Sequence, residues 1–318
     1  MMRANLAPAV WMAQPRGDFP LSDKPSYSEE VSLKVSLASK VLQDRTPEDV
    51  IALAGALGFG GIEWFCLPQH LPADISADRL DDLARRTRDA GLATVCLSTY
   101  VGGFAESDDT QAAAQITLLD RYLDIAATLN CPVLRIWPDL LGRTVREPVS
   151  DAVLGRTADW LRASADRAAA AGRTLAIEMH LTIGADVDLL MRLFAMIDRP
   201  NVGAIYDAGN LFLARLPYGP ETIHRLGERI LHVQVKDASR SRPTPPHLQN
   251  EPTLRMGGDF ELLLGEGEID FPPLFSALRN VGYQGWYSVE CHAPPRPGLD
   301  SSSIAAAELN TLRELLEG

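Results

Sequence analysis

After residue 30 the chain alternates short apolar segments with longer amphipathic ones. The short segments are rich in Val, Ile, Leu and aromatic residues and often follow a Gly or Pro, which predicts strands of a buried parallel sheet. These predicted strands are Leu33–Leu37, Gly61–Phe65, Leu92–Leu97, Val133–Trp137, Thr174–Glu178, Val202–Asp207, Ile230–Val235 and Gly285–Glu290. The amphipathic segments predict helices at Thr46–Leu57, Ser76–Ala90, Thr110–Leu129, Ser150–Ala171, Ala185–Ile197, Pro220–Leu226, Pro272–Val281 and Ser301–Leu316.

Eight strand–helix units in succession predict an α/β fold, a single (β/α)8 TIM barrel. Such units also form doubly wound open sheets, but no glycine-rich dinucleotide-binding motif follows the first predicted strand. Residues 1–30 contain four prolines and little periodicity, which is typical of an extended N-terminal arm. The expected organisation is therefore an N-terminal extension over residues 1–30 and a barrel catalytic domain over residues 31–318.

The seventh and eighth predicted strands are separated by a long loop, residues 236–271. It contains several prolines and two glycine clusters but no strong periodicity. A connection of this length is usually a functional lid or a disordered insert, and this one leaves the carboxyl end of a barrel strand, where TIM barrels carry their chemistry. We therefore expect a substrate lid here, with an insert of no function as the alternative.

Composition and charge argue against several classes of protein. The formal net charge is -12, and an acidic surface repels a phosphate backbone, so nucleic acid is not an expected partner. No segment approaches the roughly 18 apolar residues that a membrane span requires, and the short apolar run near the N-terminus makes a poor signal peptide. The four cysteines form no CxxC pair and are typical of reduced thiols. Together these features predict a cytoplasmic protein.

Four side chains that can offer oxygen ligands stand at the carboxyl ends of predicted strands: Glu178, Asp207, Gln234 and Glu290. In a barrel these strand ends meet in one mouth. Three carboxylates in one cavity repel one another and are costly to desolvate unless a cation lies between them. The all-oxygen set favours Mn²⁺ or Mg²⁺, with Co²⁺ as a further option. The simpler interpretation is that each carboxylate forms a salt bridge at its strand end.

The chain resembles the xylose isomerase-like sugar phosphate isomerase/epimerase superfamily, which includes inosose dehydratase, hydroxypyruvate isomerase and the ketose 3-epimerases. The resemblance runs from Val31 to the C-terminus and is strongest in Leu175–Asn210, Ile230–Asp237 (ILHVQVKD) and Leu264–His292. In that superfamily a Glu, an Asp, a His or Gln and a second Glu bind one divalent metal. These ligands map onto Glu178, Asp207, Gln234 and Glu290. A Gln at the third position is similar to hydroxypyruvate isomerase, whereas ketose 3-epimerases have His there.

The resemblance implies a divalent-metal-dependent isomerase or epimerase of a sugar or oxo-sugar derivative that acts through an enediolate. The metal would chelate neighbouring substrate oxygens, with Glu178 and Glu290 as catalytic base and acid. The same first step serves lyases and dehydratases, so β-elimination from an oxo-sugar, a cyclitol or a 3-oxo-glycoside is the alternative. A sugar-binding barrel without catalysis is a third interpretation, against which the intact ligand set argues. Barrels of this family commonly pair, so a homo-oligomer is also expected.

Two positions depart from the ketose 3-epimerases. Those enzymes carry a His three residues after the metal-binding Asp, where this chain has Asn210, and a further Glu where this chain has Gly184. These departures argue against 3-epimerisation of a free ketose. Arg240, six residues after Gln234, does match a family arginine that holds the reacting oxygens, and its charge would stabilise an enediolate.

Five further side chains near predicted strand ends are candidates for substrate binding, together with Asn210 and Arg240. They are His180, His232, Lys236, Arg135 and Trp137. His180 follows the Glu-x-His pattern, although a lone histidine is often structural. His232 and Lys236 would contact hydroxyl or phosphate groups or else support the metal-binding carboxylates. Arg135 and Trp137 would offer a charge and a stacking surface to a sugar ring, unless Trp137 belongs to the core.

Overall fold

Eight parallel strands close into a barrel in the computed structural model, which describes residues 34–139, 149–240, 260–293 and 298–318. The barrel strands are β1 (Val35–Ala38), β2 (Gly61–Phe65), β3 (Ala93–Ser98), β4 (Val133–Ile136), β5 (Thr174–Glu178), β6 (Val202–Asp207), β7 (Ile230–Val235) and β10 (Tyr287–Val289). Their order is β1-β10-β7-β6-β5-β4-β3-β2, and β1 pairs with both β10 and β2. The predicted TIM barrel is therefore confirmed, with the carboxyl ends of all eight strands at one rim.

Helices follow the strands around the barrel. They are α1 (Pro47–Leu57), α2 (Ala77–Asp89), α3 (Asp109–Thr128), α4 (Asp151–Ala170), α5 (Val187–Ile197), α6 (Ala208–Leu213), α7 (Pro220–Leu226), α8 (Phe271–Asn280) and α9 (Ser301–Glu317). The predicted starts Thr46, Ser76 and Ser150 are N-caps whose side chains accept a first-turn N–H, which explains why these boundaries were predictable. Among the described helices, none combines the length and apolar character that crossing a bilayer requires.

The hydrophobic core joins the outer face of the strands to the helices, as Ile62 of β2 and Leu161 of α4 illustrate. A smaller apolar cluster is formed by Val95, Cys96, Ala176 and Ile205. Ala176 and Ile205 precede Glu178 and Asp207 by two residues, so they share a strand face with those carboxylates and lie one layer deeper. Glu178 and Asp207 therefore rest on apolar side chains.

The long connection after β7 contains two short strands that the sequence pattern did not predict. β8 (Asp237–Ser239) pairs antiparallel with β9 (Phe260–Leu262). Three-residue strands are too short to give a periodic signal, and their pairing joins residues more than twenty positions apart. The predicted lid falls largely on residues 241–259, and the predicted arm on residues 1–30; both lie outside the described residues.

The Asp237 carboxylate fixes the chain where it returns from this connection. It accepts hydrogen bonds of 3.0 Å from the backbone N–H groups of Gly265 and Gly267, and one of 3.3 Å from that of Ile269. A Cβ atom on Gly267 would lie 2.0 Å from Asp237 Oδ1, so no side chain fits at this position. The second glycine of the Gly-Glu-Gly sequence is thus required for the close approach.

Helix α9 buries a carboxyl group, that of Glu308, against the same returning segment. Its Oε1 accepts a hydrogen bond of 2.9 Å from the N–H of Leu264. Burial raises the pKa of Glu308 to about 8, against the opposing effects of the Leu264 N–H and the Cys291 thiol. The folded protein therefore keeps this proton over a pH range in which the unfolded chain releases it.

We expect Glu308→Gln to stabilise the protein at alkaline pH and to have little effect near pH 4.5. The carboxyl group of the unfolded chain ionises near pH 4.5 and that of the folded protein near pH 8, so the wild-type free energy of unfolding falls across this window. An amide has no proton to lose, and its advantage should approach about 5 kcal/mol above pH 8, at about 1.36 kcal/mol for each pH unit of the window. Thermal denaturation across this range measures the effect, with the exposed Glu317→Gln of α9 as control. Equal wild-type and Glu308→Gln melting temperatures at alkaline pH would contradict the prediction.

Candidate functional site

Three carboxylates meet at the carboxyl rim of the barrel. Glu178 ends β5, Asp207 ends β6 and Glu290 directly follows β10. One oxygen from each lies within 4.8 Å of the others, and all three side chains are buried. Gln234 of β7 pairs in register with Asp207, so its side chain leaves the sheet beside this three-carboxylate cluster. The four predicted metal ligands therefore occupy neighbouring positions.

Both oxygens of Glu178 accept hydrogen bonds from predicted substrate-binding residues. Arg135 Nη1 lies 2.6 Å from Glu178 Oε2, and Asn210 Nδ2 lies 2.9 Å from Oε1. The Arg135 guanidinium is buried and also donates to the backbone carbonyls of Ser98 and Thr99. Arg135 and Asn210 therefore fix the orientation of Glu178.

Asp207 is the N-cap of α6, the short helix that periodicity missed. Its Oδ1 accepts a hydrogen bond of 3.0 Å from the backbone N–H of Asn210. Lys236 Nζ lies 2.9 Å from Asp207 Oδ2. Burial raises the pKa of Asp207 to about 7, although the Lys236 ammonium opposes this rise.

Glu290 contacts two basic side chains through one oxygen. Its Oε1 lies 3.0 Å from His292 Nε2 and 3.5 Å from Lys236 Nζ. Burial alone would raise the pKa of Glu290, but the Lys236 charge and the His292 contact outweigh it and hold this pKa below its usual range. Its Oε2 is buried and has no hydrogen-bond partner among the described residues.

The donor set fits a divalent cation. Gln234 Oε1 is a buried oxygen without a hydrogen-bond partner in the described part of the chain, and a desolvated acceptor of this kind is costly unless a ligand satisfies it. Three carboxylates and an amide oxygen are the hard ligands that Mn²⁺ and Mg²⁺ prefer. Lys236 contributes a positive charge to the same cluster, at Asp207 and Glu290.

Aromatic rings line the side of the site next to Arg135. The rings of Phe65, Tyr100 and Trp137 lie 4.7 to 5.0 Å from its guanidinium carbon. The rings of Trp137 and His180 are 5.6 Å apart, and burial lowers the pKa of His180. Tyr100 follows β3 and is 38% exposed; sequence reasoning missed it because the alternation pattern assigns it no role.

The remaining predicted substrate-binding residues lie in different surroundings. The Arg240 guanidinium carbon is 3.8 Å from the centre of the Phe212 ring, and the backbone N–H of Arg240 donates to Glu268. His232 is buried inside the barrel, where its Nε2 lies 3.0 Å from Glu63 Oε2. The structure thus groups His232 with Glu63.

Glu63 is a buried acid that sequence reasoning missed. It is the third residue of β2, and its side chain contacts Ser98, His232 and Gln234. The available signal was a carboxylate in the apolar sequence Gly-Ile-Glu-Trp-Phe, where an acid is costly to bury without partners. Glu63 lies in the middle of β2, whereas the predicted site residues were sought at the carboxyl ends of strands.

Gly184 lies against the end of β5. A Cβ atom there would be 2.4 Å from the carbonyl oxygen of Glu178 and 2.8 Å from that of His180. No side chain fits at this position without a backbone shift. The backbone therefore gives a physical reason why this chain lacks the Glu expected of a ketose 3-epimerase.

This chain is similar to known proteins both in sequence and in fold. The sequence model of the family described as xylose isomerase-like TIM barrel matches residues 51–315. An inosose dehydratase from Lacticaseibacillus casei is 32% identical over 147 residues, 44% of this chain, and the match spans only 47% of that relative's length. A 2-oxo-tetronate isomerase from Pectobacterium atrosepticum is 28% identical over 263 residues, 78% of this chain and 86% of the relative. The solved structure of IolI protein with a bound zinc atom has the same fold, with a TM-score of 0.74 and 18% identity, over 90% of this chain and 98% of that one.

Proposed function

Because this chain belongs to the xylose isomerase-like TIM barrel family, we propose that it is a divalent-metal-dependent isomerase or epimerase of a sugar or oxo-sugar derivative. The observation that carries the proposal is the buried cluster of Glu178, Asp207 and Glu290, whose oxygens lie within 4.8 Å of one another. Gln234 would complete the ligand set for Mn²⁺ or Mg²⁺. The similarity to a 2-oxo-tetronate isomerase over most of both chains supports this reaction class.

Glu178 and Glu290 differ in how many hydrogen bonds their carboxylate oxygens accept. When bound, a divalent cation acts as a Lewis acid and stabilises negative charge on substrate oxygens. Glu290 Oε2 has no hydrogen-bond partner among the described residues, so it can accept a proton from a substrate carbon without losing a contact. Glu178, held by Arg135 and Asn210, would deliver a different proton to the substrate, which leaves Glu290 protonated and Glu178 ionised until both exchange protons with water.

The lining of the site suits a polyhydroxylated substrate with a flat apolar face. The Tyr100 ring, 38% exposed, provides a stacking surface of the kind that binds sugar rings, and the buried Trp137 ring packs behind the polar ring of His180. Arg240 contributes a positive charge beside Phe212 for the reacting oxygens. These side chains would orient the substrate.

A second candidate is a lyase or dehydratase that eliminates a β-hydroxyl or alkoxyl group from an oxo-sugar, a cyclitol or a 3-oxo-glycoside. The similarity to inosose dehydratase favours it. So does the backbone at Gly184, which leaves no room for the additional glutamate of the ketose 3-epimerases. Both reactions begin with removal of a proton beside a carbonyl group and differ in what happens next.

One experiment tests the metal site and the reaction together. We expect one equivalent of Mn²⁺ on the desalted wild type by mass spectrometry and none on Asp207→Ala, with the exposed Asp124→Ala as control. NMR time courses in D₂O with a panel of carbonyl sugars should then show deuterium entering carbon without loss of any group. Release of water or an aglycone would instead support the lyase. Absence of metal from both proteins, including by titration at equilibrium, would overturn the proposal.

A further inference from the structure

We propose that Glu63 is a positioning residue that fixes the side-chain amide of Gln234, so that its oxygen rather than its nitrogen faces the three-carboxylate cluster. This inference rests on the proposed function, because it makes Gln234 Oε1 a ligand of the metal centre. Glu63 itself would touch neither metal nor substrate. It would act through the amide that it holds.

Glu63 reaches Gln234 across the interior of the barrel. Strands β2 and β7 are not neighbours, since β1 and β10 lie between them. The side chain of Glu63 nevertheless places Oε1 2.7 Å from Gln234 Nε2 and Oε2 3.0 Å from His232 Nε2. Glu63 is fully buried, so water does not compete for these contacts. The side chain of Glu63 therefore connects β2 to β7 by hydrogen-bond contacts through the barrel interior.

The chemistry of the two groups allows one orientation of the amide. Glu63 Oε1 already accepts a hydrogen bond from the Ser98 hydroxyl, and His232 Nε2 lies 3.0 Å from Oε2. A carboxylate oxygen that accepts from a hydroxyl needs donors around it, so the end of the Gln234 amide that faces it must be the NH₂ group. A flipped amide would bring two acceptors together in a buried site and leave both without a donor.

The other end of the amide supplies the independent observation. Gln234 Oε1 is buried and accepts no hydrogen bond from the described residues. Gln234 is also the register partner of Asp207, a member of the three-carboxylate cluster. A cation held by the three-carboxylate cluster would give Gln234 Oε1 the partner that it lacks among the described residues. His232 then supports Glu63 as a second donor to the same carboxylate.

A double-mutant cycle on metal affinity tests the proposal. The Mn²⁺ dissociation constant is measured by calorimetry for wild type, Glu63→Gln, Gln234→Ala and the double variant. Glu63→Gln is isosteric but can present either end of an amide to Gln234, so we expect the dissociation constant to rise about 10–100-fold. In the Gln234→Ala background the same substitution should change it less than about 3-fold, because no amide remains to be oriented.

A second measurement needs no metal. In the metal-free protein with ¹⁵N-labelled glutamine, the Gln234 side-chain NH₂ signals are identified by their loss in Gln234→Ala. They should move upfield in Glu63→Gln as the carboxylate contact is lost. Equal loss of affinity in both backgrounds, or unmoved NH₂ signals, would overturn the role of Glu63 while leaving the proposed function intact. A wild type that binds no Mn²⁺ would overturn both. Melting temperatures of the four metal-free proteins check that each is folded.

Discussion

Glu178→Gln and Glu290→Gln should each lower kcat by about 10²–10⁴-fold at saturating Mn²⁺, the range for loss of a general acid or base. The two variants should differ in stability. Glu178 is the carboxylate partner of the buried Arg135, and removing its charge should destabilise the metal-free protein by about 3–5 kcal/mol. Glu290→Gln gives up contacts with Lys236 and His292, but it also relieves the repulsion between Glu290 and Asp207 and leaves Lys236 paired with Asp207, so it should cost less.

Turnover is measured as deuterium exchange into the substrate identified by NMR, and stability as the melting temperature without metal. Normal turnover by either single variant would remove that glutamate from the proposed acid–base pair. A melting temperature of Glu178→Gln equal to that of wild type would show that burial of the Arg135 guanidinium does not require the Glu178 charge.

Lys236→Met should tighten Mn²⁺ binding and destabilise the metal-free protein. The ammonium lies 2.9 Å from Asp207 and 3.5 Å from Glu290, so it stabilises two of the carboxylates that would also bind the cation. Without it these charges are buried with less compensation, and we expect a loss of about 3–5 kcal/mol in the absence of metal. Met has a similar length and an apolar stem, which preserves the packing of the lysine chain.

Thermal denaturation with and without Mn²⁺ measures both effects, since a ligand that binds the folded state raises its melting temperature. The metal-induced rise should be larger for Lys236→Met than for wild type. Lys34→Met is the control, because Lys34 is exposed and donates only to the backbone carbonyl of Gln284 among its described contacts. A metal-free Lys236→Met as stable as wild type, with unchanged Mn²⁺ affinity, would show that this ammonium does not balance the carboxylates.

The sequence predicted the barrel because the signals for its strands and helices are local. Apolar runs, N-caps such as Thr46, and glycines after helices each act within a few residues. It also predicted that Glu178, Asp207 and Glu290 would meet, because the barrel brings the carboxyl ends of its strands to one rim. Once the fold is known, their proximity follows from topology alone.

The contacts among these side chains were not predictable in the same way. Glu63 and Gln234 are 171 positions apart, and their hydrogen bond depends on which side chains cross the interior. Arg135 was predicted to offer its charge to a substrate, whereas in the structure that charge is paired with Glu178. Strand alternation gives the face on which a residue lies but not the partner that it meets there.

The hydrogen bonds of Asp237 hold the described chain that flanks residues 241–259. Because β8 pairs with β9 and Asp237 binds the backbone of Gly265, both ends of residues 241–259 are attached to the barrel at fixed points. That stretch could be lengthened, shortened or exchanged during evolution without moving Glu290. New substrates could then be acquired by replacing one loop, while Glu178, Asp207 and Glu290 keep their places at the strand ends.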